Sequence, residues 1–123
     1  MSDDFLAWLQ ELFSTLGRTR ARAMFGGHGL YFEDRIFGIA IDQRLYLKVD
    51  ELSAPGFRAA GCAPFVYEGG GRRVEMSYWT VPDEAMDSAE AMAPWLRLAW
   101  EAALRKPERK AKAVGQRKIG RKS

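Results

Sequence analysis

Apolar residues recur at helical spacing near both ends of the chain. The first stripe ends at Gly17, a residue type common at helix C-termini, and consists of Phe5, Trp8, Leu9, Leu12, Phe13 and Leu16. The last stripe follows Pro94, which we expect in the first helical turn, and consists of Trp95, Leu98, Ala99, Ala102 and Ala103. A short helix is expected over residues 50–60, with Asp50 as its N-cap. The pattern therefore predicts two terminal helices and one short internal helix.

Segments with strand character lie between the terminal helices, at residues 30–33, 36–41, 45–49, 65–68 and 73–81. Their connections are short, so neighbouring strands should run antiparallel. In the last segment Val74, Met76 and Tyr78 share one face. We expect most aromatic rings in the core; if one ring is exposed, Trp79, on the opposite face beside Ser77 and Glu75, is the candidate. The element order predicts an α+β fold, a two-layer sandwich in which an antiparallel sheet of about five strands carries its helices on one face.

Residues 23–32 contain no charged side chain and hold three glycines around His28, the only histidine. Glycine tolerates positive φ, so Gly26, Gly27 and Gly29 predict a tight turn that joins two strands. A histidine in such a turn is interpreted as structural, because no orienting acid or nucleophile stands at a recognisable spacing. The run therefore predicts backbone geometry and not a catalytic site.

Charge divides the chain into two parts. Residues 105–123 carry a charge of +8 and residues 1–104 a charge of −5, so the positive sign of the net charge, +3, comes from a tail and not from the fold. We expect a domain over residues 1–104 and a disordered basic tail over residues 105–123. Through its nine cations the tail is expected to contact nucleic acid without sequence discrimination: Arg105, Lys106, Arg109, Lys110, Lys112, Arg117, Lys118, Arg121 and Lys122.

Arginines alternate with other residues directly before the glycine-rich run. Arg18, Arg20 and Arg22 would place three guanidinium groups on one face of an extended segment. Such a face either protects a sheet edge from pairing with other chains or docks an anionic partner. Both interpretations remain open at this point.

The chain has one cysteine, Cys62, which excludes an internal disulfide, and no cluster of residues with metal-ligand spacing. No cofactor is expected. The N-terminus is acidic, and the longest uncharged run, residues 23–32, is too short to span a membrane. These features predict a cytoplasmic protein without membrane contact.

Several sequence motifs together resemble one known family. Arg20 and Arg22 precede the glycine-rich run, and four motifs follow it: Phe37-Gly38, Leu45-Tyr46-Leu47-Lys48, Pro64-Phe65-Val66-Tyr67 and Met76-Ser77-Tyr78-Trp79. Over roughly residues 3–104 the chain resembles the N-terminal domain of the TfoX/Sxy family of bacterial competence regulators. The resemblance implies a two-layer fold and a role in transcriptional activation of competence genes together with the cyclic-AMP receptor protein. Full-length members add a helical C-terminal domain, for which we expect no counterpart in residues 1–123.

The leading hypothesis is a non-enzymatic regulatory or adaptor domain that contacts a transcription-regulatory protein and, through its tail, nucleic acid. The alternative is a free-standing module that binds a protein or a small ligand. An enzyme would require His28, Cys62, Glu75 or Ser77 to converge in one pocket. A homodimer through the sheet or the terminal helix is compatible with the pattern.

Overall fold

The computed structural model describes residues 3–24 and 26–106. In chain order its elements are α1 (Asp3–Leu12), β1 (Arg20–Met24), β2 (Gly27–Phe32), β3 (Arg35–Ile41), β4 (Arg44–Lys48), α2 (Ala54–Ala59), β5 (Pro64–Gly69), β6 (Arg72–Thr80), a 3-10 turn (Asp83–Asp87) and α3 (Ala89–Arg105).

The six strands form one antiparallel sheet in the order β1-β2-β3-β4-β6-β5. Helix α3 packs across β3 and β4, and α1 packs beside α3 on the same face. The predicted α+β class and single helical layer are therefore confirmed. The sheet has six strands because the arginine-rich segment forms β1, which the expectation of about five strands did not count.

The core lies between the sheet and the helices. Its fully buried side chains include Leu9, Phe13, Phe37, Leu47, Phe57, Met92 and Leu96. Phe13 of the turn after α1 meets Phe37 of β3 edge to face, with 5.2 Å between ring centroids. The aromatic contact joins the helical layer to the middle of the sheet.

The helix boundaries differ from the predicted ones for local reasons. Helix α1 ends at Leu12, and a tight turn leads to Gly17, whose φ is +138°. Helix α2 begins only at Ala54, because the Asp50 carboxylate caps the preceding turn by accepting the N–H groups of residues 52 and 53. Helix α3 begins at Ala89 after the N-cap Ser88, so the expectation that Pro94 lies in the first turn is wrong.

The glycine-rich run is mostly strand and not turn. The last residue pair of the β1–β2 hairpin is Met24 with Gly27, and Gly27, His28 and Gly29 lie inside β2 between two partner strands. At Gly27 a Cβ atom would collide with the carbonyl oxygen of Ala40 on β3. The predicted hairpin exists, but the prediction that His28 lies in its turn is wrong, and close approach of strands explains Gly27.

Strand β3 contains one extra residue relative to β2. Leu30 pairs with Gly38 and Tyr31 with Ile36, so Phe37 is a bulge. The bulge shifts the alternation of the strand: Phe37 enters the helix-side core, while Ile36 lies on the opposite face of the sheet. One strand thereby supplies large apolar side chains to both faces.

Candidate functional site

The sheet face that the helices leave uncovered, here called the open face, is strongly apolar. Strand alternation sets its composition: in β4 the residues Leu45 and Leu47 enter the core, whereas Tyr46 lies on the open face opposite Ile39 of β3. The apolar side chains of the open face are Met24, Tyr31, Ile36, Ile39, Ile41, Tyr46, Phe65, Tyr67, Val74, Met76 and Tyr78.

The sheet curls around this face and forms a trough. A cavity of about 320 Å³ is lined by Met24 of β1 and by Tyr67 of β5, the two opposite edge strands, as well as by the isoleucines of β3. Side chains from both edges can line one cavity only if the sheet is concave on this side. Ile39 is accordingly 6% exposed although none of the described helices covers it. Here "trough" denotes this cavity and its two edge walls.

The charged strand residues of the open face have one sign. The basic strand residues on this face are Arg20, Arg22, Arg44, Lys48 and Arg72. The only acidic residues of the six described strands, Glu68 and Glu75, alternate onto the other side. The strand residues of the open face are therefore positive, although Asp34 of the β2–β3 turn pairs with Arg20 and residues 1–104 carry −5 in total.

Several cations and rings of this face contact one another. The Arg22 guanidinium lies 5.4 Å from the ring centroid of Tyr31, and the Lys48 Nζ atom lies 5.0 Å from that of Tyr78. These distances are within the range of cation–π attraction. Each of the two rings therefore already has a cation over one of its faces.

The predicted docking arginines fall in two places. Arg20 and Arg22 lie on edge strand β1 and reach the open face, whereas Arg18 is exposed before the strand begins. Arg20 donates to the Asp34 carboxylate at 2.6 Å, and both side chains of that pair are mostly exposed. The expected alternation therefore holds for Arg20 and Arg22 but not for Arg18, and Arg22 stands two residues before the trough residue Met24.

The predicted nucleic-acid residues are only partly described. Arg105 belongs to α3 and donates to both carboxylate oxygens of Asp50, from Nε at 2.7 Å and from Nη2 at 2.9 Å. This contact lowers the pKa of Asp50 to about 2 and raises that of Arg105. Lys106 is exposed after the helix. The other seven predicted cations lie outside the described residues: Arg109, Lys110, Lys112, Arg117, Lys118, Arg121 and Lys122.

The residues considered for catalysis do not share one cavity. His28 lines a cavity of about 460 Å³ beside Asp42, and its Nδ1 atom is buried without a hydrogen-bond partner among the described residues. Cys62 lines another cavity, of about 640 Å³, where burial raises the pKa of its thiol. Ser77 is hydrogen-bonded to Lys48.

Within residues 3–24 and 26–106, no cluster of three His, Cys, Asp or Glu side chains could hold a metal, and no helix could span a membrane.

Trp79, the ring expected to be exposed, faces the helices instead. Its centroid lies 6.5 Å from that of Phe57, and the Arg58 guanidinium lies 5.5 Å from the ring centroid. The face of β6 that carries Val74, Met76 and Tyr78 is the uncovered one. Strand β3 held the missed signal: an almost uninterrupted apolar run predicts burial on both sides of a strand, and therefore apolar residues beyond the helical layer.

Comparison with known proteins identifies the family. The model of the TfoX N-terminal domain matches residues 11–103, which include all six strands. The chain is similar to Protein Sxy of Escherichia coli (strain K12), at 28% identity over 96 residues, covering 78% of this chain and 46% of Sxy. It is also similar to DNA transformation protein TfoX1 of Aliivibrio fischeri (strain ATCC 700601 / ES114), at 42% identity over 50 residues, covering 41% of this chain and 24% of TfoX1. The matched region spans less than half the length of either relative, and the chain belongs to the TfoX N-terminal domain family.

Proposed function

We propose that this chain is a non-enzymatic regulatory or adaptor domain of competence-type transcription control that binds a partner macromolecule on its open face. Family membership and the name of the relative TfoX1, a DNA transformation protein, support the regulatory role. The observation that carries the binding role is the apolar trough on a face that the helices within residues 3–106 leave uncovered.

Exposed apolar area is the physical basis of this proposal. At the trough, Met24, Tyr67 and Val74 are 38%, 49% and 42% exposed. A contiguous exposed apolar patch rimmed by charge is typical of a binding surface, because covering it removes that area from water. The trough therefore offers affinity to a partner that covers it.

The chemistry of the open face favours binding over catalysis. Its strand residues supply aliphatic side chains, aromatic rings, cations and the hydroxyl of Thr80, and they include no carboxylate, thiol or imidazole. A general base of ordinary strength is missing from that set. The geometry supports recognition of a partner and does not assemble a reaction centre there.

A reporter of competence-gene transcription tests the proposal, in a strain that lacks its own family member and expresses this chain. Val74→Asp places a charge in the trough and should lower reporter output at least about fivefold, because a buried unpaired charge opposes docking. The matched control is Leu52→Asp at a side chain 72% exposed in the turn after β4. It should retain full output. Melting temperatures of both variants establish that each is folded, and full output from folded Val74→Asp would contradict the proposal.

We also propose that the tail contacts nucleic acid, starting at Lys106 and not at Arg105. Asp50 already holds the Arg105 guanidinium through two hydrogen bonds, whereas Lys106 is exposed. The remaining cations would give attraction that weakens steeply with salt and little sequence preference. Truncation after residue 105 should remove salt-sensitive retention on a DNA column while the melting temperature stays unchanged. Equal retention of truncated and intact protein would count against tail contact.

A further inference from the structure

We propose that the trough binds an amphipathic helix of a partner protein, with an apolar stripe flanked on both sides by acidic residues. This inference rests on the proposed function and adds the chemistry of the partner. The apolar floor and the placement of cations at both walls carry it.

The floor of the trough is shaped for aliphatic side chains. It is formed by Ile36, Ile39 and Ile41 of β3, with Met24 and Met76 beside them. Methionine adapts its shape readily, so such a surface accepts a ridge of side chains without one fixed outline. A helix about 10 Å wide presents such a ridge at i, i+3, i+4 and i+7 positions. The cavity of about 320 Å³ holds the tips of that ridge and not the whole helix.

Cations stand on the β1 wall and beside the β5 wall. Arg22 lies on edge strand β1, and Arg72 lies at the start of β6, directly opposite Gly69 of the other edge strand, β5. No acidic residue of the described strands shares the face with them. A partner that complements both walls needs negative charge on both sides of its apolar stripe. A fatty acid carries a single carboxylate and would satisfy only one wall.

The rings of the open face do not favour nucleic acid. Base stacking requires a free ring face. Arg22 already lies over Tyr31 and Lys48 over Tyr78, while Tyr46 meets Phe65 edge to face at 5.0 Å. Pairing of two open faces in a homodimer is also disfavoured, because both copies carry the same positive charge.

The test uses two fluorescently labelled helical peptides of about 18 residues. Fluorescence anisotropy measures the binding of each peptide to the full chain. Both have the same leucine stripe, one flanked by glutamates and one by lysines. The glutamate peptide should bind at least about tenfold more tightly at about 50 mM salt, and the preference should shrink at about 500 mM because salt screens the pairing.

Variants locate the binding on the open face. Arg22→Glu combined with Arg72→Glu should weaken the glutamate peptide about tenfold, since each wall then repels it. Combining Arg97→Glu, which reverses an exposed charge on α3, with Arg58→Glu, which reverses an exposed charge on α2, makes the same net change away from the trough and should leave affinity within about twofold. Because the tail beyond residue 106 is present in every variant, its own attraction for the peptide cancels.

Three results would overturn the proposal. The first is equal binding of the two peptides to the intact chain, and the second is equal weakening of binding by the two double variants. The third is binding of a single-stranded oligonucleotide or of palmitate to the open face when the glutamate peptide does not bind there. These results are separable from the proposed function. If Val74→Asp abolishes reporter output while no peptide preference exists, the binding role stands and the acidic helix is rejected.

Discussion

Gly27 shows how the close approach of two neighbouring strands restricts the residue type at a single position. Added to Gly27, a Cβ atom would meet the Ala40 carbonyl oxygen and, at 2.9 Å, the Cγ1 atom of Ile41. Gly26, one residue earlier, has φ +78° but open space around the corresponding position. The two neighbours are therefore glycines for different reasons, and substitution separates them.

Gly27→Ala should reduce the free energy of unfolding by about 3 kcal/mol, because β2 and β3 must separate to admit the methyl group. Gly26→Ala should cost about 1 kcal/mol, the penalty of a left-handed conformation for alanine. Urea denaturation of both variants and the unsubstituted chain measures the difference. Equal losses at the two positions would mean that the approach of β3 at Gly27 costs no more than a left-handed conformation, and would contradict this explanation of Gly27.

At the residue scale, the sequence predicted the placement of charged side chains on one strand face better than it predicted the environment of individual uncharged residues. The alternation of Arg20 and Arg22 correctly placed both on one face, because alternation is intrinsic to an extended chain. The environments of His28 and Trp79 were wrong, because the number of strands that flank a residue and the side on which helices pack are decided by distant segments. Residue type alone carries neither piece of information.

Among the elements, the end of α3 is tied to the turn after β4 by the Asp50–Arg105 pair, which joins residues 55 apart. The guanidinium donates to the Asp50 carboxylate and lowers its pKa from 3.8 to about 2. A carboxyl with a lowered folded-state pKa contributes stability that is complete above the unfolded value and is lost as pH falls through the folded value. This contribution to the free energy of unfolding is therefore lost as pH falls from about 4 to about 2.

Asp50→Asn should reduce the free energy of unfolding by about 1 kcal/mol near neutral pH, since solvent screens part of the pairing. The difference from the unsubstituted chain should disappear as pH falls from about 4 to 2. Arg105→Gln should abolish the same pH-dependent component, which identifies the partner. Denaturation curves at several pH values test this, and a constant difference down to pH 2 would contradict the role of the ion pair.

The order and type of most elements followed from local pattern, but their boundaries did not. Proline stands at the sixth residue of α3 because Ser88 starts the helix earlier than the apolar stripe indicated. The bulge at Phe37 was likewise hidden, since a single extra residue in an apolar strand leaves the hydrophobicity of the run unchanged. Its position depends on pairing with β2, which is a tertiary property.

In the whole molecule, acidic and basic residues are separated in a way that a total charge conceals. The body carries −5, yet both acidic strand residues turn away from the open face and five basic ones turn toward it. Sequence motifs sufficed to indicate the family, which the match over residues 11–103 confirms. The candidate site could not be predicted in the same way, because it is assembled by the order and curl of strands from both halves of the chain.

The two walls of the trough are also the two unpaired borders of the sheet. Among the described strands, β1 and β5 each have one neighbour, so their outer backbone N–H and C=O groups are available to other chains. A partner that contacts both walls would keep β1 and β5 in the curled arrangement and shield these edge strands from the addition of further strands. Binding of the partner would then also protect the protein from aggregation. A chain produced without its partner would be the form most prone to self-association.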